Sequence, residues 1–249
     1  MLAADTDHQV SDSRVDRAFL VALLVASALG TCLGIPWAIA VLGDPASVWL
    51  STLVEGPLLL VPASAAGVWL GKRAGLASDL RGLVSNTSAG WARLRASLLP
   101  AGAIGLALGL IGFYAQRSVP GSTWVQGLRN PTPLDWLLRS MSAAVTEEIF
   151  FRLGLIALVS WVIASIVRRP AIHVLSLWVG NLISALLFAA AHLPQLSGHA
   201  PGLQAALISY STAAGLVMGA VFLRYGLVSA VVAHFTCDLV ANVVPRLSA

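Results

Sequence analysis

Residues 134–167 read LDWLLRSMSAAVTEEIFFRLGLIALVSWVIASIV, an apolar stretch interrupted by Asp135, Arg139, Glu147, Glu148 and Arg152. As one helix rising about 1.5 Å per residue it would reach about 50 Å, well beyond a hydrocarbon core of about 30 Å. It is therefore expected to tilt, to begin outside the core, or to break into two. Further apolar runs lie at 18–43, 45–71, 96–116, 171–193, 201–223 and 226–244. Each is long enough to cross a bilayer at roughly 20 residues per span.

Composition agrees with that reading. The 249 residues are 57% hydrophobic and 10% charged, against about 25% charged in soluble domains, and the mean hydropathy is +0.83. The expected fold is all-α, a polytopic transmembrane helical bundle with seven clear segments, or eight helices if 134–167 divides. A single membrane domain is expected over 18–249, behind a polar N-terminal tail at 1–17 that carries Asp5, Asp7, Asp12, Asp16, Arg14 and Arg17. The run that follows the tail is too long for a signal-peptide core, so it reads as a retained span.

The net charge of +4 does not imply a nucleic-acid partner, because the basic residues sit in short loops rather than in a patch interleaved with aromatics. They set topology instead. With the N-terminus inside, Arg14, Arg17, Lys72, Arg73, Arg81, Arg93, Arg95, Arg168, Arg169 and Arg224 are cytoplasmic, while Arg117, Arg129 and Arg246 are outside. The expectation is a multi-pass protein of the cell membrane with a cytoplasmic N-terminus. Within the loop 72–95, Leu76, Leu80, Leu83 and Val84, followed by Trp91, suggest a short interfacial helix. Trp49, Trp69, Trp124 and Trp136 lie near segment ends, where indoles favour the headgroup region. Cys32 and Cys237 show no metal-type spacing and read as free thiols.

Ionisable groups inside a bilayer are costly unless paired, hydrated or chemically employed, so they are where function is sought first. Here they are Glu55, Glu147, Glu148, Arg152, His192, His234 and Asp238, with Asn181 and Asn242 nearby in the later segments. At about 100° per residue, Glu148 and Arg152 lie about 40° apart and can pair. Glu147 points about 100° from Glu148, has no expected partner on its own helix, and is free to act as a general base. Glu55 is expected to pair with Arg139, with a cavity-lining or an interfacial place as the alternatives. His234 and Asp238 share a face at i, i+4, as do Phe188 and His192. Cys237 points about 60° off the His234 face, which argues against a thiol nucleophile. Water between a basic carboxylate and imidazoles can attack a peptide carbonyl while donors hold the oxyanion, so these are the parts of a hydrolase.

The ordered motifs Glu147-Glu148-Ile-Phe-Phe-Arg152, Phe188-Ala-Ala-Ala-His192 and His234-Phe-Thr-Cys-Asp238 resemble the EExxxR, FxxxH and HxxxN/D pattern of the CPBP intramembrane protease family. That family is also called the type 2 CAAX prenyl protease, abortive-infection and bacteriocin-processing family. The resemblance covers roughly 134–244. It implies an eight-helix membrane fold and an endopeptidase acting on a membrane-associated protein or peptide. Glu147 and His192 would activate water, His234 and Asp238 would complete the site by binding water, metal or the oxyanion, and Glu148, Arg152 and Phe188 would support them. Asp238 stands where relatives often carry Asn, which alters the charge of the site.

Cofactors remain open: none is favoured, and zinc is the alternative, with ligands drawn from His192, His234 and Asp238 or Glu147. Two other functions compete with the protease. The buried acids and histidines could form the proton relay of a coupled transporter, or tie helices together in a non-catalytic scaffold or immunity protein.

Overall fold

A computed structural model describes residues 2–74, 76, 83–84, 87–118, 131–167, 173–193 and 200–247, and the side chains within them apart from 2–12, 47, 51, 53, 55 and 116–118. Among the described residues there is no strand. We label the helices in chain order. Helix α1 is Leu2–Leu42. Helix α2 covers 45–73 as Pro45–Glu55, a π-helical turn at Gly56–Leu60, and Val61–Arg73. Helices α3 to α7 are Ser88–Ser118, Pro133–Val167, His173–Ala191, Pro201–Tyr225 and Leu227–Arg246.

Each apolar run of the sequence thus becomes one helix. Among the described residues, 6 helices are long and apolar enough to cross a membrane, namely α1 from Ser13 onward and α3 to α7, and α2 is not in that set. Large apolar side chains such as Leu29, Leu58, Leu99, Ile111 and Leu186 point outward, as a lipid-facing surface requires. The excess length of 134–167 is not resolved by division. Helix α4 is continuous, running as an α-helix over Pro133–Glu147, a π-helix over Glu148–Ile156 and an α-helix again over Ala157–Val167. No additional helix interrupts 131–167, and residues 119–130 lie outside the description.

Local chemistry sets where the site-bearing helices start. Thr132 caps α4: its hydroxyl oxygen accepts from the Asp135 amide at 3.2 Å, while the Asp135 carboxylate accepts from the Thr132 amide at 2.8 Å, with Pro133 in the first turn. This reciprocal box satisfies two amides that the helix itself cannot. Helix α7 follows α6 through the single residue Gly226, at φ 100. Only glycine takes that conformation without steric cost, so the chain reverses in one residue and brings α7 back beside α6.

Helix α4 is central. Its first part packs on α1, its π stretch meets α2 and α5, and α7 lies against both parts. On the far side α7 packs along α3, and the backbones come close enough that a Cβ on Gly105 would collide with the Ala233 carbonyl, and one on Gly109 would meet the Cys237 carbonyl at 2.7 Å. Small residues at this spacing let helices approach in a membrane, where water does not drive them together. The core between these helices holds the fully buried Leu23, Ile156, Ala230 and Ala233.

One expectation is corrected. Trp49 and Trp69 are exposed as interfacial indoles should be, but Trp136 is only 6% exposed and packs inside the bundle; Trp124 lies outside the description. Of the expected interfacial helix in 72–95, Leu83 and Val84 are helical and Leu80 lies outside the description, while Leu76 packs against the core and Trp91 belongs to α3.

Candidate active site

Helix α4 contributes two adjacent acids that face different ways. Glu148 is fully buried, its Oε2 lies 3.3 Å from Arg152 Nε, and Arg152 is equally buried. The ion pair expected from the i, i+4 spacing is therefore present within the π-helical stretch, although its geometry leaves Glu148 Oε2 and Arg152 Nε without a hydrogen bond. Arg152 is held further by Ser184 of α5, whose hydroxyl accepts from Nη1 at 3.4 Å and donates to the Phe151 carbonyl at 2.6 Å. The other Glu148 oxygen reaches across to α7, where His234 Nδ1 lies 2.9 Å away. A carboxylate paired with arginine can only accept. The proton of that bond therefore sits on Nδ1, which orients Nε2 into the interior.

Glu147 is not alone on its helix, contrary to the expectation above. Arg139, two turns earlier, donates from Nη2 to Glu147 Oε1 at 3.1 Å. The Glu55 side chain lies outside the description. Glu147 Oε2 lies 3.9 Å from His234 Nε2, and Asp238 Oδ2 lies 3.8 Å from the same nitrogen. Both separations exceed a direct hydrogen bond and are distances at which a shared water is to be considered. Asp238 therefore does not fix the histidine; Glu148 does.

His192, at the end of α5, places Nδ1 2.8 Å from the Phe188 carbonyl. A carbonyl only accepts, so this bond also assigns the proton to Nδ1 and leaves the Nε2 lone pair free. Phe188 sits between the two histidines, with ring centroids 4.8 Å from His192 and 6.0 Å from His234, and the Arg152 guanidinium lies 4.8 Å over its face. The phenyl ring spaces the imidazoles and packs against the buried cation. Asn181, earlier on α5, takes no part: its Nδ2 donates to the Leu216 carbonyl at 3.1 Å and ties α5 to α6.

Glu147, His192, His234 and Asp238 all line one cavity of about 120 Å³, together with Trp37, Trp136, Arg139, Tyr210 and Asn242. A water needs roughly 10–15 Å³ by this measure, so there is room for several. Cys237 also faces the cavity, but its Sγ lies 3.5 Å from the Tyr210 hydroxyl, which donates to the Leu108 carbonyl at 2.9 Å. Both cysteines are free thiols. Among the described residues no group of three or more His, Cys, Asp and Glu side chains is arranged to hold a metal ion.

A family of known proteases matches the part of the chain that builds this cavity. The match is to the family described as type II CAAX prenyl endopeptidase, Rce1-like, and it runs over residues 128–240. Residues 128–240 are Rce1-like. The Rce1-like segment contains Arg139, the three motifs and every candidate site residue, and leaves α1, α2, α3 and the last residues of α7 outside it. At the level of class the match supports a CAAX-type membrane protease, which implies a membrane-associated substrate. Neither the curated proteins nor the solved structures give a match.

Sequence reasoning missed Arg139 and the two indoles that share its cavity. Arg139 precedes Glu147 by 8 residues, about two turns at 3.6 residues each, so a search extended beyond i, i+4 would have found it. Trp136 is one turn before Ser140 on the same helix, but its inward direction depends on where α1 and α7 pack.

Proposed function

We propose that the protein is an intramembrane endopeptidase in which Glu147 and His192 activate a water for attack on a peptide bond. One observation carries the reading: a carboxylate, two imidazoles with assigned orientations and a second carboxylate, from three helices, line one cavity of about 120 Å³. Glu147 Oε2 takes a proton from water while His192 Nε2 orients it by accepting its other hydrogen. The oxygen adds to the carbonyl carbon, and the resulting oxyanion is received by Nε2–H of a doubly protonated His234, whose Nδ1–H donates to Glu148 and whose positive charge Glu148 and Asp238 balance. The proton on Glu147 then passes to the amine nitrogen as the C–N bond breaks, giving a carboxylate and an amine. Preorganised donors of this kind stabilise charge where it develops.

The substrate proposed is a peptide on a membrane-anchored protein. A second cavity of about 580 Å³ between α1, α2 and α4 is lined by Leu42, Leu59, Leu60 and Phe150, and shares Trp37, Arg139, Glu147 and His192 with the first. It supports a route by which an apolar anchor lies among the helices while the peptide reaches Glu147. The reading needs no metal, because Glu147 and His192 hold the attacking oxygen themselves.

Comparing the peptides of membranes that carry wild-type protein or Glu147→Gln tests this. New peptide termini are expected only with the wild type. Identical termini in both would exclude Glu147 as the base.

A further inference from the structure

One end of the cavity is lined by two indoles and a guanidinium whose hydrogen-bond donors are only partly used among the described residues. Trp136 and Trp37 both line it beside Arg139, and neither indole N–H has a partner although both are buried. Trp136 is only 6% exposed, and a buried donor left unpaired carries a desolvation cost, so such groups are normally matched. The rings are fixed in place. Trp37 and Trp136 meet edge to face with centroids 5.6 Å apart, the Arg139 guanidinium lies 5.5 Å from the Trp37 ring, and Arg246 lies 3.9 Å over Trp136. Among the described side chains Arg139 gives one N–H to Glu147, and a guanidinium has five.

We propose that Arg139, Trp37 and Trp136 form an anion subsite beside Glu147, and that it takes a carboxylate of the substrate. Indole N–H groups can donate and cannot accept, and the planar guanidinium fork matches a carboxylate with two parallel bonds. A peptide offers two sources of that chemistry, its C-terminal carboxylate and an acidic side chain. Either would seat the chain with the bond to be cut toward Glu147, because Arg139 touches Glu147 directly. Arg139 is thus a specificity residue that also positions the proposed base. The inference rests on the endopeptidase reading for the identity of the substrate, but not on hydrolysis being observed.

The test uses full-length protein in lipid nanodiscs and an N-acylated, photoreactive hexapeptide in three forms: free C-terminal acid, C-terminal amide, and C-terminal amide with Asp as the last residue. The wild type should bind the free acid or the Asp-amide about tenfold or more tightly than the plain amide, the ratio expected for charged hydrogen bonds. Which of the two binds tighter identifies the source of the carboxylate. Arg139→Gln should erase the preference, and Trp136→Phe, which keeps a ring and removes the N–H, should narrow it severalfold. Equal binding of all three forms by the wild type overturns the subsite without reference to any variant, and an undiminished preference in folded Arg139→Gln overturns its assignment. Preference without cleavage of any peptide would leave the subsite standing and count against the peptidase, whereas cleavage without preference would do the reverse.

Discussion

Glu148 and His234, 86 residues apart in the chain, meet at 2.9 Å inside the bundle, and the same carboxylate lies 3.3 Å from Arg152. One buried acid therefore neutralises a buried arginine and orients the imidazole that faces Glu147. Removing its charge should damage both. Glu148→Gln is expected to cost about 3–5 kcal/mol, the usual penalty for stranding a buried partner, and to abolish activity as well. Thermal denaturation in lipid and a cleavage assay check this together. Wild-type stability in the variant would show that the Arg152 charge does not depend on Glu148.

The close approach of α3 and α7 gives a prediction with an internal control. Gly105→Ala would place a methyl against the Ala233 carbonyl, one residue before His234, whereas a Cβ on Gly102 of the same helix meets nothing within 4 Å. Gly102→Ala is expected to be silent or slightly stabilising, since alanine favours helix by about 1 kcal/mol over glycine. Gly105→Ala should lose about 1–3 kcal/mol and shift α7. Melting temperatures of the two variants compare them directly, and equal values would contradict the packing described.

Much of the layout was legible in the sequence, and the limits have physical causes. Apolar runs mark the helices because hydrocarbon solvent demands length and apolarity from every span. Pairs within one helix, Glu148 with Arg152 and His234 with Asp238, follow from the four-residue period. Contacts between helices do not, which is why the Glu148–His234 bond, the burial of Trp136 and the donor-rich end of the cavity were out of reach. The π-helical stretches at Glu148–Ile156 and Leu239–Val243, beginning directly after Glu147 and Asp238, change the period that the helical-face arithmetic assumes. The glycines at 105 and 109 could have been noticed as a small-residue motif, although nothing in their spacing names the partner helix.

From the loop charges we propose a cytoplasmic N-terminus. In a variant with Cys32 and Cys237 replaced, single cysteines at Ser13 and Ser88 should react with an impermeant thiol reagent only after lysis, because the basic residues cluster on the cytoplasmic side of that topology. Labelling of either position in intact cells would invert the protein and move the cavity toward the other leaflet.

Metal independence is the next expectation. Metal-stripped protein should keep its activity, and Asp238→Asn should be tolerated far better than His192→Ala, since the proposed water is held by Glu147 and His192. Stoichiometric zinc in active protein, with activity lost on chelation and restored by zinc, would replace the water mechanism with a metal centre built on His192, His234 and Asp238.

The most direct measurement is the cleavage rate of purified Glu147→Gln against wild type in nanodiscs, on a peptide first found in the wild-type membranes, with melting temperatures recorded alongside. Glutamine keeps the size of the side chain and can still accept from Arg139 through its carbonyl oxygen, so the fold should be retained. Loss of a general base is worth about 10²–10⁴ in rate. The account predicts a fall in that range or beyond it, with melting temperatures within a few degrees; a folded variant that retains activity within tenfold of wild type would contradict it.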